Sequence, residues 1–125
     1  MGKRSQYKRG FNLMRMWMLP PEKMCRKHLL GEHVEIHMLV GSIIKGRKLT
    51  KFLSYGLIEP TSIYKRHEEI KNEMIKRGYK HTSELKKYDF SKYNENEIKL
   101  ISETKVDINK SILDITERCS ECLFK

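Results

Sequence analysis

The stretch Cys25–Ile44, CRKHLLGEHVEIHMLVGSII, limits the fold of this chain more than any other. Leu29, Ile36, Val40 and Ile43, with Ile44 beside them, recur at helical spacing and make one apolar stripe that should face a core. His28, Glu32 and Glu35 stand at i, i+4 and i+7 and make a second, polar stripe along its border. A carboxylate on that border is held by a rigid element, half out of water, where its pKa can be tuned for proton transfer. The same pattern also fits an amphipathic helix whose glutamates only solvate its edge. Periodicity leaves both readings open.

A chain of 125 residues has room for one modest core. The expected fold is mainly α: a compact single-domain bundle of about three helices with long loops. Residues 1–13, with Lys3, Arg4, Lys8 and Arg9 and no acid, read as a disordered basic arm, and residues 14–125 as the domain. MRMWML, from Met14, should tuck against the core. Pro20-Pro21-Glu22 suits a short helix running into the main one, with Gly31 as a weak point. Gly46 ends the main helix in the manner of a C′ glycine.

Residues 47–60 read as a basic loop anchored by Phe52, Tyr55 and Leu57. Pro60-Thr61-Ser62 caps a helix over 62–77, with Ile63, Ile70, Met74 and Ile75 buried and Arg66, Lys71, Lys76 and Arg77 charged. Gly78 closes it. Residues 94–106 are ambiguous. Asp107 caps a last helix over 108–118, with Ile108, Ile112, Leu113 and Ile115 apolar.

Charge bears on the partner. Lys and Arg number 26 against 16 Asp and Glu, a net +10. Residues 92–125 carry six basic and seven acidic side chains, so the excess lies in the first 91. Such a surface attracts polyanions, nucleic acid foremost. Lys45, Arg47, Lys48 and Lys51, then Lys76 and Arg77, are the candidate phosphate contacts. Trp17, Tyr55, Tyr64, Tyr79, Tyr88 and Tyr93 could stack on bases or serve as ordinary core and rim rings. No apolar run approaches the ~20 residues that cross a bilayer. The basic start lacks the apolar region of a secretory signal.

All three cysteines and one histidine fall into Cys25-x-x-His28 and Cys119-x-x-Cys122. Together they offer the four donors a structural zinc takes, and a metal there would tie the C-terminal segment back to the central helix. Packed thiols and a redox pair are the competing readings. An odd cysteine number argues against a disulfide framework and fits a reducing compartment. His33-x-Glu35-x-His37 has metal-pair spacing without the order of a zinc protease, and His33 reads as a core-edge residue.

The run HLLGEHVEIH, a basic loop, and a helix ending MIKRGY together resemble the pyrimidine-dimer DNA glycosylases of the phage endonuclease V type. The likeness spans about residues 14–81 and is strongest at His28-Leu29, Glu32, Glu35 and Lys76-Arg77-Gly78-Tyr79. It implies a helical, monomeric protein of the prokaryotic or phage-infected cytoplasm that kinks damaged double-stranded DNA and extrudes a base. In such proteins the α-amine at the chain start attacks the deoxyribose C1′ and forms an imine, and no cofactor is required. A helix glutamate supports glycosyl cleavage and then β-elimination; it aligns with Glu35. The nucleophile aligns with Met14, and the arginine after it with Arg15. Two departures stand out. Thirteen residues precede Met14, so its nitrogen is an amide in this chain. Two DNA-contacting helix arginines of the family fall on Val34 and Met38.

Overall fold

The computed structural model describes residues 14–80 and 83–123. It contains five α-helices and, among the described residues, no strand: α1 Arg26–Lys45, α2 Thr50–Ser54, α3 Ile63–Lys76, α4 Glu95–Glu103 and α5 Ile108–Arg118. Two 3-10 turns, Pro21–Lys23 and Pro60–Ser62, precede α1 and α3. The helix count exceeds the expected three for two local reasons. Residues 50–54 coil within the segment read as a loop. The ambiguous stretch forms α4, because Asn94 accepts the Glu97 N–H while the Glu97 side chain accepts the Asn94 N–H. The first 13 residues, read as a basic arm, lie outside the described residues.

α1 is the axis of the molecule. Leu29, Ile36, Leu39, Val40 and Ile43 are each at most 2% exposed, as the apolar stripe requires. Ile44, at its edge, is 37% exposed. The helix runs unbroken through Gly31 and stops at Gly46, whose φ of 72° places it in the left-handed region. The Gly46 N–H then donates to the Ile43 carbonyl and the Arg47 N–H to that of Ser42. A Cβ at Gly46 would also lie 2.9 Å from the Lys92 Cβ. The turn therefore needs glycine twice over.

α3 packs on α1 and touches both 3-10 turns. Ile63, Ile70 and Met74 are buried as expected, but Ile75 is 54% exposed. The side facing α1 carries a charge instead: Arg66, 2% exposed, holds Glu32, 0% exposed, through Nε–Oε2 at 2.7 Å and NH2–Oε1 at 2.9 Å. A buried guanidinium is tolerated when a carboxylate meets both of its forks. Burial alone would lower the Arg66 pKa; the bonds and charge of Glu32, then those of Glu69, override that and hold it above its ordinary value.

In α5 the Asp107 side chain caps the Lys110 N–H, as its position implies. Ile115 is fully buried, whereas Ile108 and Leu113 face water. The Met14–Leu19 segment does enter the core; Met14, Met16, Trp17 and Leu19 are all buried. Its anchor is the Met16 N–H on the Leu57 carbonyl at 2.8 Å.

Candidate active site

Glu35 lies midway along α1, a position that fixes its backbone. The Met14–Leu19 segment crosses beside it. The Arg15 N–H donates to Glu35 Oε1 at 3.1 Å, twenty residues away in sequence. The Met14 nitrogen is one residue back along the same segment. Ser42, two turns further along α1, donates to Met14 Sδ at 3.5 Å.

The Arg15 side chain is 4% exposed. Its guanidinium carbon lies 3.9 Å from the Trp17 ring centre, and its NH2 is 2.9 Å from Asp114 Oδ2 on α5. Stacking and ion pairing thus hold one cation from two sides. Arg118, the last residue of α5, reaches over the Trp17 ring at 5.7 Å. Met18 adopts φ 57° without being glycine. A left-handed residue costs about 1 kcal/mol, so the packing of Trp17 and Leu19 on either side must outweigh it.

Burial pushes the Glu35 carboxyl up to about 7. The Arg15 N–H bond opposes that shift; the Glu32 charge adds to it, and the charges of Arg15 and Arg118 reduce it. A carboxyl with that value is present in both protonation states at neutral pH, which is what a group that both takes and returns a proton needs.

The four predicted metal donors come together although 94 residues separate Cys25 from Cys119. Cys25 Sγ is 3.2 Å from His28 Nδ1 and 3.7 Å from Cys119 Sγ, and Cys122 Sγ is 3.6 Å from His28 Nδ1. All four donor atoms lie within 4.8 Å of one another. The Cys25 N–H donates to Cys122 Sγ at 3.2 Å, and the Leu123 N–H to the Lys23 carbonyl at 2.9 Å. The C-terminal segment is thereby docked at the first turn of α1. Burial, then the charges of Lys27 and Arg118, keep the His28 imidazole below its ordinary pKa.

Of the candidate phosphate contacts, Lys45, Arg47, Lys48, Lys51 and Lys76 are exposed. Arg77 is half-buried and tied down: it bonds Glu73 at 2.7 Å and the carbonyls of Pro21 and Met24 at 3.0 and 2.7 Å. It clamps the 3-10 turn to the end of α3. Trp17 and Tyr93 are buried, while Tyr55 and Tyr64 are exposed. Asp114 and Arg118 complete the surroundings of Glu35 and were not singled out by sequence. No spacing links them to Glu35; only α5 folding back onto the Met14–Leu19 segment does.

A helical scaffold that brings an elevated-pKa carboxyl and a stacked arginine to one backbone segment is suited to proton-transfer chemistry on a bound group. Residues 14–87 match the pyrimidine dimer DNA glycosylase family, and since the match covers more than half of the chain, the protein belongs to that family. The class this defines is a family of DNA-repair glycosylases, whose members act on DNA. No curated protein and no solved structure matched the chain. No helix among the described residues is long and apolar enough to cross a membrane.

Proposed function

We propose that the chain removes pyrimidine-dimer-like lesions from duplex DNA through an imine formed at Met14, and then cuts the abasic strand by β-elimination. The observation that carries this reading is the hydrogen bond from the Arg15 N–H to Glu35. It aims the carboxylate at the chain position where an unblocked terminus would stand.

The chemistry follows from the groups. A neutral Met14 amine attacks C1′, the glycosidic bond breaks, and the base leaves with the bonding electrons. The amine's surplus proton passes to ionised Glu35. Glu35 returns that proton to O4′ as the sugar ring opens, which gives the protonated imine and acidifies C2′. A base then takes the C2′ proton, and the electrons expel the 3′ phosphate. Water returns the amine. An α-amine suits the first step because its ordinary pKa, about 8, is the lowest among protein amines. Arg15 offers a cation beside the reacting sugar. Exposed Lys45, Arg47, Lys48, Lys51 and Lys76 supply phosphate contacts, and Arg77 supports the turn that precedes α1.

This reading requires a chain that begins at Met14. Borohydride trapping on dimer-containing and abasic duplexes tests it. Protein starting at Met14 should be trapped, and Glu35→Gln should lose strand cleavage by at least a hundredfold, the usual weight of a general acid–base group. Protein carrying residues 1–13 should not be trapped. No adduct with either, or adducts and cleavage unchanged in Glu35→Gln, defeats the reading. A second reading, DNA binding without cleavage on the same scaffold, is favoured by the peptide bond at Met14 whenever residues 1–13 are attached. It expects salt-dependent duplex affinity and intact strands.

We also propose a structural zinc on Cys25, His28, Cys119 and Cys122. Tetrahedral zinc with Zn–S of about 2.3 Å and Zn–N of about 2.0 Å sets S···S edges near 3.8 Å and S···N edges near 3.5 Å. The observed 3.7, 3.2 and 3.6 Å fit those edges. Such a metal would hold the end of α5, and with it Asp114 against Arg15. Metal analysis of protein purified without chelator should give zinc that Cys119→Ser loses. Absence of zinc, or a disulfide in its place, defeats it.

A further inference from the structure

The other face of α1 carries a cluster that the glycosylase reading does not use. His33 and His37, at i and i+4, share one side of the helix, and α3 brings His67 against them. Each of the first two is two residues from Glu35, about 200° around the helix, so the cluster points away from the candidate active site. The ring centres are 4.7 Å apart for His33–His37, 5.1 Å for His33–His67 and 5.2 Å for His37–His67. One nitrogen from each ring can be chosen so that all three lie within 4.8 Å of one another.

We infer that His33, His37 and His67 form a second, thiolate-free site for a borderline divalent cation such as Zn2+, Co2+ or Ni2+. The spacing is the first argument. A cation about 2.0 Å from a ring nitrogen is about 3.2 Å from the ring centre, and three such rings on a tetrahedral ion have centres about 5.2 Å apart. The three observed separations match that triangle to within half an ångström. Chemistry is the second argument. His67 is 1% exposed and follows Arg66, whose side chain holds Glu32 across the same pair of helices. Three imidazole nitrogens converging at so buried a place are the donor set that such a cation takes. Carboxylates form the third. Glu68 Oε2 is 3.5 Å from His67 Nδ1, and donor atoms of His67, Glu68 and Glu84 also lie within 4.8 Å of one another. An acid so placed orients a ligating imidazole or closes the coordination sphere. Glu84 also bonds Lys71 at 3.1 Å, so Glu68 is the better-placed partner. Three imidazoles and no sulfur favour cobalt, nickel and zinc over the soft metals that thiolates select.

The test is a cobalt titration of the full-length protein with its thiolate site already filled by zinc. One further equivalent should bind, with ligand-field bands and no sulfur-to-cobalt charge-transfer band. His67→Gln and His37→Gln should each weaken that equivalent at least tenfold. His67 is in the core, so His37→Gln, at a half-buried position, repeats the test with less risk to folding. The unaltered chain gives an independent readout: ring 15N resonances of three histidines should move when zinc is added beyond the first equivalent. No further binding, binding undiminished in both histidine variants, or rings that respond to pH and not to metal would overturn the site. None of these readouts involves DNA cleavage, so the outcome is separate from the glycosylase test.

Discussion

Arg66 on α3 grips Glu32 on α1 with two hydrogen bonds, 2.7 and 2.9 Å, and neither side chain is more than 2% exposed. Removing one member leaves the other as an uncompensated buried charge, which costs about 3–5 kcal/mol. Glu32→Gln should lower stability by that amount in urea unfolding. The double change Glu32→Leu, Arg66→Met should recover most of it, because two apolar residues leave nothing unpaired. A double variant as unstable as the single one would mean that the pair contributes packing and not charge compensation.

The same change reaches the candidate active site. The Glu32 charge helps raise the Glu35 pKa. Glu32→Gln removes that charge and leaves Arg66 beside the site. The Glu35 titration, followed by carboxyl 13C NMR, should move down from about 7. An unmoved titration would show that burial alone sets the value.

Glu35 should also destabilise the fold at neutral pH. Its folded pKa, about 7, is above its ordinary 4.5, so the native state binds the proton more tightly than the unfolded chain does. The associated stability is fully present below pH 4.5 and is lost as pH rises through 7. A shift of 2.5, from 4.5 to 7, corresponds to on the order of 3 kcal/mol. Glu35→Gln should therefore be more stable than the parent at pH 8, with the advantage gone at pH 4.5. Urea midpoints at the two pH values measure it. Equal pH dependence in both proteins would show that the carboxyl is not desolvated.

Asp114 should matter through Arg15 alone. Its carboxylate is 2.9 Å from the Arg15 NH2 and retains 25% of its exposure. Asp114→Asn should cost about 2 kcal/mol, below a fully buried pair because water still reaches the acid. If Arg15 works on the sugar, the variant should lose turnover while duplex affinity holds. Affinity and turnover falling together would assign Arg15 to DNA binding.

How far these features could be read from sequence depends on whether their cause is local. The α1 stripe, the Gly46 stop and the Asp107 cap all follow from spacing and backbone sterics within one helix, and the chain bears them out. Glu35 could be aligned with a family glutamate, but its bond to the Arg15 N–H depends on the 14–19 segment doubling back. Arg66 reads only as one of four charges in its helix, because nothing within α3 reveals that Glu32 waits across the interface. Ile75 and Leu113 fit their apolar patterns yet face water, since a small core has too few places for every apolar side chain. His67 is thirty residues or more from its two neighbours on α1, beyond any periodic signal. The α4 capping box was written in Asn94 and Glu97, but the helix behind it buries only Ile101.

Val34 and Met38, 55% and 36% exposed, flank Glu35 on the outer side of α1. The resemblance puts DNA-contacting arginines at these two positions. If that face meets the duplex, Val34→Arg and Met38→Arg should restore phosphate contacts that this chain lacks. Each new contact steepens the fall of log affinity with log salt by about 0.9. The double variant should thus bind undamaged duplex more tightly at low salt, with a slope steeper by nearly two. Stability should change by less than about 0.5 kcal/mol, because both sites face water. A control pair at exposed Tyr64 and Leu113, replaced in the same way, should add affinity without the same gain in slope if those residues lie off the footprint. Equal slopes for the two pairs would mean that charge alone drives binding, and that the outer side of α1 is not where DNA sits.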